Sequence, residues 1–235
     1  MKQWFKRQLS IRHFELLRIL NYERKRLICR LRSPKNYKTK LERLHLGSGD
    51  RHVPEWLNVD LVQSDLNLDI ARGKLPFESD HFSLIVTQHV VEHLTIEDEL
   101  IPLLKECLRT LKPNGELWIS TPDLEKAVHS YLEHQNTDMI KDRQTRKPEW
   151  NLGDMPPQQF MNDLFYQQSE HRNLFDFDLL TWTLQQAGFS SIERTDEKAL
   201  LSRFPEFPPR HDDIQSIYVR AVSYTHLTLP TILRV

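Results

Sequence analysis

Two short stretches of this 235-residue chain hold side chains that could act on a substrate together. In His89-Val90-Val91-Glu92-His93 two imidazoles stand four residues apart with a carboxylate between them. On one helix they would share a face and could hold zinc, with Glu92 as the base of a metallohydrolase. The same histidines suit plain proton transfer, because imidazole is the side chain whose ordinary pKa lies nearest neutrality. His171, beside Glu170, is a further candidate of that kind. The second stretch is Gly47-Ser48-Gly49, followed by Asp60. A Gly-x-Gly turn lets backbone approach a ligand closely, and an acid ending the next strand can accept hydrogen bonds from both hydroxyls of a ribose.

The elements that must position these residues are strands. Residues 41–46 read as a strand running into Gly47, and 56–60 as a second ending at Asp60. FSLIVTQ at 82–88 has the continuous apolar, β-rich pattern of a strand buried on both faces, and His89 follows it directly. Apolar residues at helical spacing run over 95–111, with Thr95 as N-cap and Asp98 at the capping-box position. Lys112-Pro113-Asn114-Gly115 reads as a turn, 116–120 as a strand, 176–187 as a helix closed by Gly188, and 189–194 and 216–222 as strands.

Strands alternating with helices predict an α/β domain over 41–222, with a mainly parallel sheet of about seven strands. Ligands of such sheets lie beyond the carboxyl ends of the strands, which directs attention to 47–54, Asp60, Asp69, 89–93 and 121–123. His89 then sits where a helix is only starting, which argues against the zinc reading. Nine residues separate Leu46 from Trp56, and four (61–64) precede the next strand candidate. An ordinary parallel crossover takes about a dozen, so the first two crossover helices should be reduced or missing.

The ordered pieces LHLGSGDRHVPEWLNVD, LDIARGKLPFESDHFSLIVTQHVVEHL and LLKECLRTLKPNGELWISTPDL resemble the class I S-adenosylmethionine-dependent methyltransferases over about residues 41–222. The chain is most similar to the small bacterial branch with P-x-W-x-N-V-D and a late E-H-x-x-x-x-D…A-G-F, here 170–176 and 187–189. The resemblance implies a Rossmann-like fold and S-adenosylmethionine as cofactor. It implies Gly47, Ser48 and Gly49 against the methionine part, Asp60 with neighbouring Leu61 at the ribose, Asp69 and Ile70 at the adenine, and His89 near the transferable methyl. His93 and His171 are then candidates for the catalytic base, and Asp123 and His171 for the acceptor pocket.

The acceptor is expected to be a small molecule, a glycan or a lipid-linked intermediate. Nucleic acid is not expected, since the usual N-P-P-Y-type motif is missing. Arg51 departs from the family pattern by standing where a third Gly is usual. The competing classes are a non-catalytic cofactor-binding or membrane-associating module, a zinc hydrolase through His89, Glu92 and His93, and an NAD-type oxidoreductase using Asp60.

Charge divides the chain. Residues 1–43 hold fourteen Lys and Arg against three Glu, although the whole carries only −1, so a basic arm precedes an acidic body. Residues 3–32 lack Pro and Gly and read as a basic amphipathic helix ended by Pro34. Such a helix can pack on its own acidic domain or on a second subunit, lie on an anionic membrane surface, or track nucleic-acid phosphates. Residues 1–40 are expected to be separable from the domain, so that deleting 1–34 would spare cofactor binding while removing any contact with an anionic membrane surface. The stretch 135–172 is polar and contains three prolines, and reads as a lid-like, irregular insertion. No apolar run approaches the roughly 18 residues of a membrane span, no secretory pattern opens the chain, and Cys29 and Cys107 form no C-x-x-C. The expected location is cytoplasmic, with peripheral membrane contact at most. SYTHLTLPT at 223–231 equals the translation of a transposase adapter used in sequencing libraries, so 223–235 is expected to be a non-native read-through.

Overall fold

The computed structural model describes residues 11–223. The first ten residues of the basic arm and the tail beyond Ser223 lie outside the described residues. A helix, α1 (Ile11–Arg32), opens the described chain and stops two residues before Pro34, because the residue before a proline disfavours helical backbone.

Seven strands follow: β1 (Arg43–Leu46), β2 (Leu57–Asp60), β3 (Leu66–Asn67), β4 (Phe82–Gln88), β5 (Leu111–Pro122), β6 (Ser191–Thr195) and β7 (Ser216–Val222). They lie side by side in the order β3-β2-β1-β4-β5-β7-β6. The first five strands pair in parallel, and β7 is antiparallel to both its neighbours. This is the Rossmann-like, mainly parallel α/β sheet that the sequence predicts. The links 47–56 and 61–65 contain no helix, so the early crossovers are reduced as their lengths require.

On one face the sheet packs beneath α2 (Ile101–Thr110) and α6 (Phe177–Ala187), around Leu44, Ile85, Leu104, Leu117, Leu184 and Val219. The other face is thinner. Val53, Trp56, Leu84, Trp118 and Phe207 fill it with α7 (Glu197–Arg203) at its edge. Asp176 caps α6 through Leu179 N, and Gly188 closes it at φ +106°. No helix among the described residues is long and apolar enough to cross a membrane.

Three local expectations need correction. Thr95 does not cap with its side chain. A single π turn over Ile96–Leu100 precedes α2, with Leu100 N donating to Thr95 O, and the extra residue per turn brings Glu99, not Asp98, back to Thr95 N at 3.0 Å. The turn at 112–115 lies inside β5 as an irregularity, where pairing jumps from Phe82–Leu111 to Leu84–Glu116. The insertion 135–172 is also not irregular. After α3 (Leu124–His134) it folds into α4 (Thr137–Arg146) and α5 (Gln158–Tyr166), which bury Met139, Phe160, Met161 and Leu164 in a satellite core with Ala127.

Candidate functional site

A cavity of about 580 Å³ opens at the carboxyl ends of β1, β2 and β4, within the roughly 300–1,000 Å³ usual for small-molecule sites. It gathers Gly47, Ser48, Gly49, Asp60, Leu61, Asp69, Ile70, His89 and His93, residues the sequence singles out from four separate segments.

The first wall is the turn after β1. Gly47 has φ +74°, and a Cβ there would stand 2.2 Å from a Val90 methyl, so only glycine lets the turn pass beneath the β4 loop. Gly49 N donates to Asp60 Oδ2 at 2.8 Å, and Leu61 N donates to Oδ1 at 2.6 Å. One carboxylate thus joins the turn to the end of β2. Arg51 donates to the carbonyls of Pro208 and Pro209 at 2.6 and 2.9 Å, which gives the missing third glycine a replacement role in holding the loop.

The second wall comes from the basic arm, which packs on the acidic domain. Residues 18–26 of α1 line the cavity opposite the glycine turn. Arg26, only 8% exposed, donates to Asp69 at 3.1 Å and to Glu99 at 3.1 Å. Arg30 reaches the same Asp69 oxygen at 2.5 Å, and Arg18 reaches Glu170 at 2.9 Å. The arm is therefore a wall of the site, and deleting 1–34 is expected to weaken ligand binding rather than spare it. Asp69 is largely spent on this contact, since its other oxygen accepts from Ala71 N at 3.2 Å. Ile70 is left as the apolar neighbour facing the cavity.

The third wall is the β4 loop. His89 takes φ +55°, and its Nε2 lies 2.7 Å from Asp212 while Nδ1 lies 3.2 Å from Glu92. Burial pulls the imidazole toward neutrality, but the hydrogen bond to Asp212 and then the pairing with Glu92 outweigh it and raise the His89 pKa. Burial likewise opposes ionisation of both carboxylates, and His89 outweighs it in each, so both are lowered. The result is a buried imidazole between two carboxylates that favour its charged form, with Tyr218 and Arg210 also donating to Asp212. With both ring nitrogens facing carboxylates, His89 is not placed to serve as the base.

His93 differs. Its Nδ1 lies 3.0 Å from the Glu170 carbonyl. A carbonyl only accepts, so Nδ1 carries a hydrogen and is engaged, and Nε2 is the nitrogen through which a proton could be exchanged. His171 repeats this pattern with Leu164 O at 2.7 Å, and burial lowers its pKa. The two rings meet edge to face at 5.0 Å. Arg172 N and Asn173 N donate to Glu92 O, and Asn173 Nδ2 donates to Leu94 O, which fastens the two histidine segments together. His171 supports His93 from behind and does not itself line the cavity.

Asp123 does not line it either. It is fully buried and caps α3 through Glu125 N and Lys126 N, because the chain turns into a helix immediately after β5.

The zinc set His89, Glu92 and His93 does not form on one helical face, since His89 is committed to Asp212. Glu92, His93 and His171 do place one ligand atom each within 4.8 Å of one another. Glu92 is already engaged: Oε2 accepts from Thr121 Oγ1 at 3.1 Å, and Oε1 faces His89 in an ion pair whose angle is poor for a hydrogen bond. Elemental analysis of the purified full chain is expected to find no stoichiometric zinc. One zinc per chain, lost in His89→Ala, would restore the hydrolase reading.

Sequence reasoning missed Asp212, Arg26 and Gln88. Gln88 ends β4, is 4% exposed, and has no partner for either amide atom while lining the cavity. Its only signal was a polar residue closing an apolar strand.

The methyltransferase-domain family profile matches residues 18–194, most of the chain. The chain belongs to that family. No curated protein matches it in sequence. Among solved structures it is similar to an S-adenosylmethionine-dependent methyltransferase of Thermotoga maritima, at 15% identity over 89% of this chain and 98% of that one, TM-score 0.44. It is also similar to Haemonchus contortus phosphoethanolamine N-methyltransferase 2 in complex with S-adenosyl-L-methionine, at 14% identity over 87% of this chain and 53% of that one, TM-score 0.44. S-adenosylmethionine is the methyl donor of this enzyme class, and the cavity suits it. Ser48 and Gln88, two of its lining residues, hold buried polar side-chain atoms without a protein partner, and such orphans are costly unless a ligand or water satisfies them.

Proposed function

We propose that this enzyme transfers a methyl group from S-adenosylmethionine, held between the glycine turn and α1, to a small-molecule, glycan or lipid-linked acceptor that enters beside His93. The observation that carries the reading is the Gly49–Asp60 junction, which opens on a cavity holding two buried, unpartnered polar side chains. Backbone at residues 47–49 lies against the methionine part, Asp60 with Leu61 binds the ribose, and Ile70 covers the adenine. Asp69 contributes by anchoring α1. When bound, the sulfonium supplies an electrophilic methyl carbon.

The protein's own part is to hold the acceptor in line with that carbon, which can supply most of the acceleration, and to remove the acceptor's proton. His93, which lines the cavity with Nδ1 tied to Glu170, takes the second task through Nε2. His89, held between Asp212 and Glu92, fixes the loop that carries His93.

Calorimetric titration with S-adenosylhomocysteine tests the ribose assignment. Asp60→Ala loses a charge-assisted acceptor, worth about 1.5–3 kcal/mol, so affinity should fall by tenfold or more. Affinity equal to that of the natural chain would remove Asp60 from the site.

A further inference from the structure

The amphipathic helix α1 is seated the wrong way round for an ordinary surface helix. Its inward side carries Arg18, Arg26 and Arg30, because the domain face it meets is acidic at Glu170, Asp69 and Glu99. Its apolar residues are left outside. Leu16, Leu17, Leu20, Leu27, Ile28 and Leu31 are 37% to 78% exposed. At about 100° per residue they share one stripe roughly 120° wide. Arg24 stands within that stripe and Lys25 and Arg32 beside it, while Glu23, at its other edge, is turned to Arg26.

We infer that this outward stripe is a docking surface for an anionic lipid bilayer, with the leucines entering the headgroup boundary and the flanking cations meeting lipid charge. Charge decides the occupant. A second copy laid on the stripe would bring two sets of these cations together, and Glu23, the carboxylate at its edge, is already paired with Arg26. A nucleic acid would meet leucines where it presents phosphates. An anionic membrane satisfies both the apolar stripe and its basic margin.

The opposite side of the same helix is a wall of the cavity, so docking holds the cavity one helix diameter, roughly 10–12 Å, from the lipid surface. On the reading of that cavity as the methyl-transfer site, the acceptor is then an amphipathic molecule carried by the membrane.

Vesicle sedimentation of the full chain tests the surface, using phosphatidylcholine with and without phosphatidylglycerol. The account expects binding to the anionic vesicles to exceed binding to the neutral ones by about tenfold or more at low salt, and to weaken as salt rises. Leu20→Glu/Leu27→Glu should lose at least about tenfold of that binding, since charges replace inserted apolar side chains. Its affinity for S-adenosylhomocysteine in solution should be unchanged, because neither leucine lines the cavity. Equal binding to both vesicle types, or a double variant that sediments like the natural chain, overturns the proposal. So does a dimer by sedimentation equilibrium that the double variant dissolves, since a second copy would then cover the stripe. Vesicle binding without S-adenosylhomocysteine binding would instead overturn the reading of the cavity alone.

Discussion

His93→Ala is expected to slow methyl transfer by about 10²–10⁴-fold, the usual contribution of a positioned general base, while changing S-adenosylhomocysteine affinity far less. The expectation rests on one geometric fact. The Glu170 carbonyl engages Nδ1, so proton exchange falls to Nε2 of a ring that lines the cavity. Transfer of tritium from methyl-labelled donor into lipid, glycan and small-molecule fractions of a cell extract provides the readout. His171→Ala should fall between the variant and the natural chain, because His171 braces His93 without lining the cavity. A His93→Ala enzyme with the natural rate would show that orientation alone drives the reaction.

Asp212→Ala should cost about 3–5 kcal/mol of folding stability, the typical penalty for stranding one member of a buried ion pair. Asp212 is 1% exposed and accepts from His89, Tyr218 and Arg210 at once. Asp212→Asn keeps an acceptor and should cost less.

The pH dependence has a definite sign. The His89 pKa is raised in the folded protein, so its stabilisation is complete below the ordinary histidine value and fades as pH rises through the folded one. Asp212 and Glu92 are lowered, so theirs is present above the ordinary carboxylate range and fades as pH falls through the folded values. The cluster therefore contributes most from about pH 4.5 to 6.5 and persists above that until His89 deprotonates. Urea unfolding across this range should show the alkaline decline flattened in Asp212→Ala. A loss under about 1 kcal/mol would mean that the cluster does not hold the loop.

The sheet was legible because its strands are short apolar runs closed by glycine or an acid. Leu46 into Gly47 and Val59 into Asp60 mark strand ends whatever surrounds them. Crossover lengths alone foretold the missing helices. Long-range partners were not legible: Asp212 meets His89 across 123 positions, from a segment without periodicity. Asp123 has the chemistry of a pocket acid and the position of an N-cap, and only the helix beginning at Leu124 decides between them. The helices α4 and α5 were hidden because their apolar residues are few and serve a small local core. The arm's composition predicted an amphipathic helix, but a charge pattern does not say which face turns inward. That depended on Asp69, Glu99 and Glu170, which the fold gathers from three separate segments.

The central claim is that the cavity between the glycine turn, Asp60 and α1 holds S-adenosylmethionine. Calorimetric titration of the full chain with S-adenosylhomocysteine, and in parallel with NAD, tests it most directly, because both ligands offer a ribose to Asp60. The account predicts one S-adenosylhomocysteine per chain and no binding of NAD. No heat with S-adenosylhomocysteine, or saturable binding of NAD in its place, would contradict it.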